Sequence, residues 1–259
     1  DPAWVVASYG KNLGLEGIRD GRAFIVLSEK DGWRHAHIYS RDGRQQALLT
    51  PGEMDIIARG PVDEAGGWFY YYASPDNATQ KYLFRVRLDG STNPERVTPL
   101  NQPGTHDYEF SPDGRWAFHT YSTFDTPPIT ELVQLPEHRM VRVLEDNAEL
   151  REKVKPLIRQ PTEFLQLTVG DFVMDAWMIK PDDFDPSRQY PVLVYVYGEP
   201  HLQTVLDAWG ASQADFHRVI ASLGYLVVSI DNRGTPAPKG AAWRRSIFPS
   251  LGPLSTEEQ

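Results

Sequence analysis

Cysteine is absent from the 259 residues, which excludes a disulfide framework, a thiol nucleophile and any cysteine-ligated zinc site. Long apolar runs are missing as well; none approaches the roughly 18 to 20 residues that cross a bilayer as a helix. Positive charge is in deficit: 26 Lys and Arg stand against 35 Asp and Glu, a net charge of −9. A surface so balanced does not track phosphates, so nucleic acid is not an expected partner. There is also no H-E-x-x-H, no Walker loop and no G-x-G-x-x-G, so neither a metal nor a nucleotide cofactor is expected. The opening Asp1-Pro2-Ala3-Trp4 carries no initiating Met, basic leader or apolar leader segment, and reads as a start inside a longer protein.

What remains is a globular composition, 41% hydrophobic and 24% charged, with aromatics at 12%. The aromatics gather in short β-like runs, Phe24–Leu27, Trp68–Tyr72 and Trp116–Tyr121. Turn signals such as Asp31-Gly32 and Ser111-Pro112-Asp113-Gly114 separate them. A strand followed by a polar turn and an L-T-P-like signal occurs at Ile38–Gly43 with Leu48-Leu49-Thr50-Pro51, and again at Leu83–Gly90 with Arg96-Val97-Thr98-Pro99. A degraded third copy is Glu131–Pro136 with Val141–Leu144. The period, roughly 45 to 50 residues, is that of four-stranded propeller blades. The alternative all-β reading is a single sandwich. Three blades cannot close a ring, and an open stack leaves raw strand edges that invite pairing.

The composition shifts after Asn147. Residues 148–154 predict a short helix, Pro156 and Pro161 punctuate a linker, and a hairpin is expected from Phe164–Val169 and Val173–Lys180 around Gly170-Asp171. Val192–Tyr197 is a continuous apolar run, the pattern of a strand buried on both faces. Ser212 and Asp215 resemble a helix start. Phe216, Val219, Ile220 and Leu223 follow at i, i+3, i+4 and i+7 before Gly224, and Tyr225–Ile230 is a second apolar run. Strand, helix, strand is a βαβ unit and commits the region to a parallel pairing. The expected fold is thus all-β propeller blades over residues 1–147, followed by an α/β part over residues 148–259 that opens an α/β-hydrolase sheet. A partial propeller and a partial sheet would leave apolar faces uncovered, so poor folding in isolation is expected.

Reacting groups of parallel sheets gather at the carboxyl ends of strands, which draws attention to Tyr195-Val196-Tyr197-Gly198-Glu199-Pro200-His201. The Tyr197 hydroxyl could donate to a developing oxyanion there, or Tyr197 could be a half-buried aromatic at a strand end. An α/β-hydrolase needs a G-x-S-x-G elbow, with its acid and histidine following. None occurs in the 259 residues, and His201 and His217 precede any elbow, so no triad member is assigned. His35 and His37 share a strand face without a third ligand, and a satisfied surface pair is expected rather than a metal site. Asn77-Ala78-Thr79 matches a glycosylation sequon but reads better as a loop turn. Asp231-Asn232-Arg233-Gly234 is expected to be a buried scaffold rather than a substrate contact. Asp182, Asp183 and Asp185 are expected in a solvated loop.

At "YPVLVYVYGEPH", "GYLVVSIDNRGT" and "LEDNAEL", with "SEKDGWRH" and "ASPDNATQKYLFRV" upstream, the sequence resembles the dipeptidyl peptidase IV group of the prolyl oligopeptidase family of serine peptidases. The motifs keep the family order from about Phe24 to Gln259. The resemblance implies a propeller over an α/β-hydrolase domain, a peptide substrate entering between them, and cleavage of N-terminal dipeptides after Pro or Ala. It matches Tyr197 to the family's oxyanion-hole tyrosine, and implies that the serine, acid and histidine lie beyond Gln259. The family's acidic pair for the substrate amine would lie before Asp1. Glu199 departs from the family's usual small residue before the proline; it either faces solvent or marks altered substrate contacts. Two other functions are weighed, a non-catalytic propeller that binds peptides and a different α/β-hydrolase such as an acylaminoacyl peptidase or esterase. A homodimeric full-length protein is a further expectation, and a bacterial periplasmic or secreted location is expected over the cytoplasm.

Overall fold

The computed structural model describes residues 15–159, 161–248 and 250–259. Twelve strands form three antiparallel meanders of four. The first comprises β1 (Glu16–Ile18), β2 (Ala23–Ser28), β3 (His35–Ser40) and β4 (Gln45–Leu48); the second β5 (Ile56–Asp63), β6 (Trp68–Ala73), β7 (Tyr82–Arg87) and β8 (Glu95–Arg96). The third comprises β9 (Thr105–Phe110), β10 (Trp116–Ser122), β11 (Ile129–Gln134) and β12 (Arg139–Glu145). Each is a propeller-type blade with its strands in sequence order.

The L-T-P repeat has a common physical job in the first two blades. In the first, Ala36 donates its N–H to Thr50 Oγ1 (3.0 Å) and accepts from the Leu49 N–H (2.8 Å). In the second, Leu83 donates to Thr98 Oγ1 (2.9 Å) and accepts from the Val97 N–H (2.8 Å). Both threonines are buried, so their hydroxyls satisfy strand N–H groups that would otherwise be orphaned away from water.

The middle blade explains the aromatic run. Side chains of a strand alternate between faces, and on β6 Phe69 and Tyr71 pack into a core with Ile25 and Ile38 of the first blade and Ile56 of β5. Tyr70 and Tyr72 pack the other way, with Tyr108, Ala117 and Val133 of the third. A strand sandwiched between two blades is apolar on both faces.

After helix α1 (Ala148–Val154), strands β13 (Glu163–Val169), β14 (Phe172–Ile179), β15 (Val192–Tyr195) and β16 (Leu226–Ile230) form a mixed sheet in the order β13-β14-β16-β15. The β13–β14 hairpin is antiparallel, β14 pairs antiparallel with β16, and β15 runs parallel to β16 with Tyr195 opposite Ser229. Helix α2 (Ala214–Ser222) joins the parallel pair; α3 (Gly240–Arg245) and α4 (Leu251–Glu258) follow.

Three local expectations change. Strand β15 is not buried on both faces: Val192 is 54% exposed and Val194 and Val196 are also exposed, while Leu193 and Tyr195 pack inward. Helix α2 turns a different side to the sheet from the one its large apolar residues suggest. Phe216 (56%) and Leu223 (69%) are exposed, and Ala214, Ala221 and His217 face the core, where small side chains let the helix approach β14 and β16 closely. Ser212 does not cap α2; Gln213 holds that position in a left-handed conformation, and the Ser212 hydroxyl donates instead to the Thr204 carbonyl.

Candidate active site

Tyr197 lies two residues past the end of β15, half-buried, at the start of the loop leading to α2. The turn after it needs Gly198, whose φ of +79° places it in the left-handed region. A cleft of about 490 Å³ opens here, lined by Val196, Tyr197, Gly198 and Glu199 on one side and by Leu251, Ser255 and Gln259 of the α4 segment on the other. Among the described residues the Tyr197 hydroxyl has no hydrogen-bond partner, so its proton is available to an incoming acceptor. Glu199 is exposed.

The loop after β16 forms the floor beneath this turn. Asp231 is 2% exposed, and its carboxylate accepts from Thr204 N (2.7 Å), Thr204 Oγ1 (3.0 Å) and Val205 N (3.3 Å). Burial pushes its carboxyl up to about 6, against the lowering effect of those donors, with Asp175 adding like charge. Asn232 is buried and reaches Ser255 Oγ, and Arg233 pairs with Glu258 of α4. At Gly234 (φ +88°) a Cβ would lie 2.3 Å from Ile247 Cγ2, so both conformation and space demand glycine. The segment is the buried scaffold expected of it.

The other sequence candidates are not gathered at the cleft. His35 and His37 are buried rather than superficial: His35 pairs with Asp31 (2.8 Å) and the Gly52 carbonyl (2.9 Å), and burial lowers His37 to about 4. Among the described residues no group of three or more potential ligands could hold a metal ion. His201 is exposed beside the turn, and His217 is buried under the sheet against Tyr195 and Trp177. Asn77 Oδ1 accepts from Thr79 N (3.0 Å) and Oγ1 (2.8 Å), a local turn with Thr79 buried. Asp182 and Asp183 form surface pairs with Arg159 and Arg188, and Asp185 accepts from Ser187. No helix of the described residues is long and apolar enough to cross a membrane.

Sequence comparison matches residues 1–128 to the family model described as the dipeptidyl peptidase IV (DPP IV) N-terminal region. A probable dipeptidyl-aminopeptidase B of Emericella nidulans is 33% identical over 222 residues, 83% of this chain and 24% of the relative. A probable dipeptidyl-aminopeptidase B of Neosartorya fischeri is 33% identical over 243 residues, 91% of this chain and 26% of the relative. The crystal structure of Porphyromonas gingivalis dipeptidyl peptidase 4 superposes with a TM-score of 0.84 at 32% identity, covering 95% of this chain and 34% of that one. The chain belongs to the dipeptidyl peptidase IV group of the prolyl oligopeptidase family. It spans about a quarter of the length of the curated relatives it matches.

In this member of the dipeptidyl peptidase IV group, three aspartates that sequence reading missed tie the blades to the α/β part. Asp55, between β4 and β5, takes both outer nitrogens of Arg244 in α3 (2.7 and 3.0 Å) and the Gly240 N–H (2.6 Å). Asp125, between β10 and β11, accepts from Arg218 of α2 (2.7 Å) and from Thr162 (2.8 Å). Asp207, on the loop that carries Tyr197, accepts from Gln80 Nε2 and the Phe124 N–H, both at 2.8 Å. The third blade also contains a buried stack, with His106 Nδ1 2.9 Å from His119 Nε2 and His119 Nδ1 3.4 Å from Glu131. No short motif marks these groups; only their spacing in the folded chain brings them together.

Proposed function

We propose that this chain is part of a serine-type dipeptidyl aminopeptidase, with blades over residues 1–147 and the opening of the peptidase domain over residues 148–259. The protein would remove N-terminal dipeptides, with Pro or Ala preferred at the second position, by acyl transfer through an acyl-enzyme. The observation that carries the reading is Tyr197. It sits just past the carboxyl end of a strand in a parallel pair, beside an open cleft, with a hydroxyl that no group among the described residues engages. As the negative charge develops on the scissile carbonyl oxygen, the Tyr197 O–H would donate to it. A preorganised donor of this kind supplies about 2.7–4 kcal/mol of transition-state stabilisation. Since no G-x-S-x-G occurs in the 259 residues, this piece alone would not turn over substrate; the serine would be supplied by the full-length protein.

The test is hydrolysis of a chromogenic Xaa-Pro substrate by the full-length protein, with the free amine and with the amine acylated. The reading expects cleavage of the first and none of the second. Cleavage of the acylated substrate alone would favour an acylaminoacyl peptidase, and cleavage of simple acyl esters alone would favour an esterase.

A further inference from the structure

The loop from β15 to α2 has Tyr197 near its beginning, and among the described residues its hydroxyl has no hydrogen-bond partner, so its place depends on how the loop backbone is held. Two adjacent side chains hold this loop from below. Asp231 pins its far side at Thr204 and Val205 through the three hydrogen bonds described above, and Trp177 Nε1 donates to the Thr204 carbonyl (2.9 Å). Asn232 Nδ2 donates to Ser255 Oγ (3.3 Å), and Ser255 Oγ lies 2.9 Å from the carbonyl oxygen of Gly198, the residue after Tyr197. Gln259 Nε2 in turn donates to Asn232 Oδ1 (3.1 Å) and to the Ile230 carbonyl (2.9 Å). The placement follows from the sheet: Tyr195 and Ser229 are the last registered partners of the parallel pair, so residues 197–198 and 231–232 leave it side by side.

We propose that Asp231 and Asn232 are positioning residues for the Tyr197 hydroxyl, gripping its loop at Thr204 and, through Ser255, at Gly198. The inference rests on the reading of Tyr197 as the oxyanion donor. Such a donor acts only at about 2.7–3.1 Å from the position the oxyanion takes, and a misplacement of about 1 Å can cost on the order of 10²-fold in rate. A loop held at one point could swing the phenol by that much. The two holds, at Gly198 and at Thr204, lie on either side of residues 199–203 and remove that freedom. Thr204, Asp231 and Asn232 are buried and hydrogen-bonded, and the Ser255 hydroxyl divides its proton between the Gly198 carbonyl (2.9 Å) and the Leu251 carbonyl (2.8 Å), which stiffens the arrangement.

The test is a double-mutant cycle on kcat in the full-length protein, with a chromogenic Xaa-Pro substrate and the variants Ser255→Ala, Asp231→Asn and Tyr197→Phe. Ser255→Ala and Asp231→Asn should each lower kcat by about tenfold or more. KM should stay within about twofold, because an interaction made only in the transition state is lost. In the Tyr197→Phe background neither should lower kcat by more than about twofold, since residues acting through one group are not additive. A kcat close to wild type in both variants, or losses that multiply with that of Tyr197→Phe, would overturn the proposal. If Tyr197→Phe itself leaves kcat unchanged, the oxyanion reading falls and the positioning role with it. If it lowers kcat and the losses multiply, only the positioning role falls. Should Asp231→Asn fail to fold, Thr204→Val removes one of its three donors and enters the same cycle with the same expectations.

Discussion

Consider the substitution Asp55→Ala. The Asp55 carboxylate accepts four hydrogen bonds, from the Arg34 and Gly240 N–H groups (both 2.6 Å) and from Arg244 Nη1 and Nη2 (2.7 and 3.0 Å). Both side chains of the pair are only 1% exposed. Burial works against charge on Asp55, but the Arg244 guanidinium and the two backbone donors prevail and hold the carboxyl below its usual range. Removing it leaves a buried cation with Glu29 (3.0 Å) and the Ala237 carbonyl (3.2 Å) as remaining partners, and two N–H groups without an acceptor. Breaking a buried pair from one side costs about 3–5 kcal/mol, so a loss of about 4 kcal/mol is expected. Replacing both partners, Asp55→Ala with Arg244→Met, should recover more than half of that, because no charge is then stranded. Urea unfolding followed by tryptophan fluorescence reads the loss as a lower midpoint at unchanged slope. A loss below about 1 kcal/mol, the range of exposed pairs, would refute the reasoning. The sign with pH follows too: a depressed folded-state carboxyl contributes stability above its unfolded value near 3.8, lost as pH falls through the folded value below that.

Two further outcomes follow from the blades. Burial lowers His106 to about 4 and His119 to about 2, from the ordinary 6.5, so the unfolded chain binds protons that the fold refuses. Stability should therefore fall as pH drops below about 6.5, by up to about 1.4 kcal/mol per unit for each histidine. His106→Phe with His119→Phe should flatten that slope in pH-dependent melting, and an unchanged slope would contradict the assignment. Thr98→Val keeps the shape but strands the Leu83 N–H that the hydroxyl accepts from at 2.9 Å. A loss of about 1–3 kcal/mol is expected, and a neutral result in chemical denaturation would remove the structural meaning given to the repeat.

The parts of this structure that were legible in the sequence are those written locally. The spacing of Thr50 and Thr98 from their strands is a repeat because each hydroxyl completes the same backbone site. The 225–230 run, and the hairpin at Gly170-Asp171, follow from chain-neighbour patterning. Tyr197 draws attention in the sequence because strand ends in parallel sheets are where reacting groups collect, and its role is the proposal the kinetics below test. The orientation of α2 was not legible, because its large residues Phe216 and Leu223 point outward and the inward face is built on Ala214, His217 and Ala221. The partnership of Asp55 with Arg244 joins residues 189 positions apart, and that of Asp125 with Arg218 joins residues 93 apart. No periodicity carries such pairs. Nor does any motif mark the buried histidine stack, since His106 and His119 sit on neighbouring strands that only the β9–β10 register brings together.

The central claim is that the Tyr197 hydroxyl stabilises the oxyanion, and the direct measurement is kcat of Tyr197→Phe in the full-length protein on a chromogenic Xaa-Pro substrate. Loss of one such donor predicts a fall in kcat of about 10²- to 10³-fold, with KM little changed. A kcat within about twofold of wild type, where one lost donor should cost at least about 2.7 kcal/mol, would contradict the account.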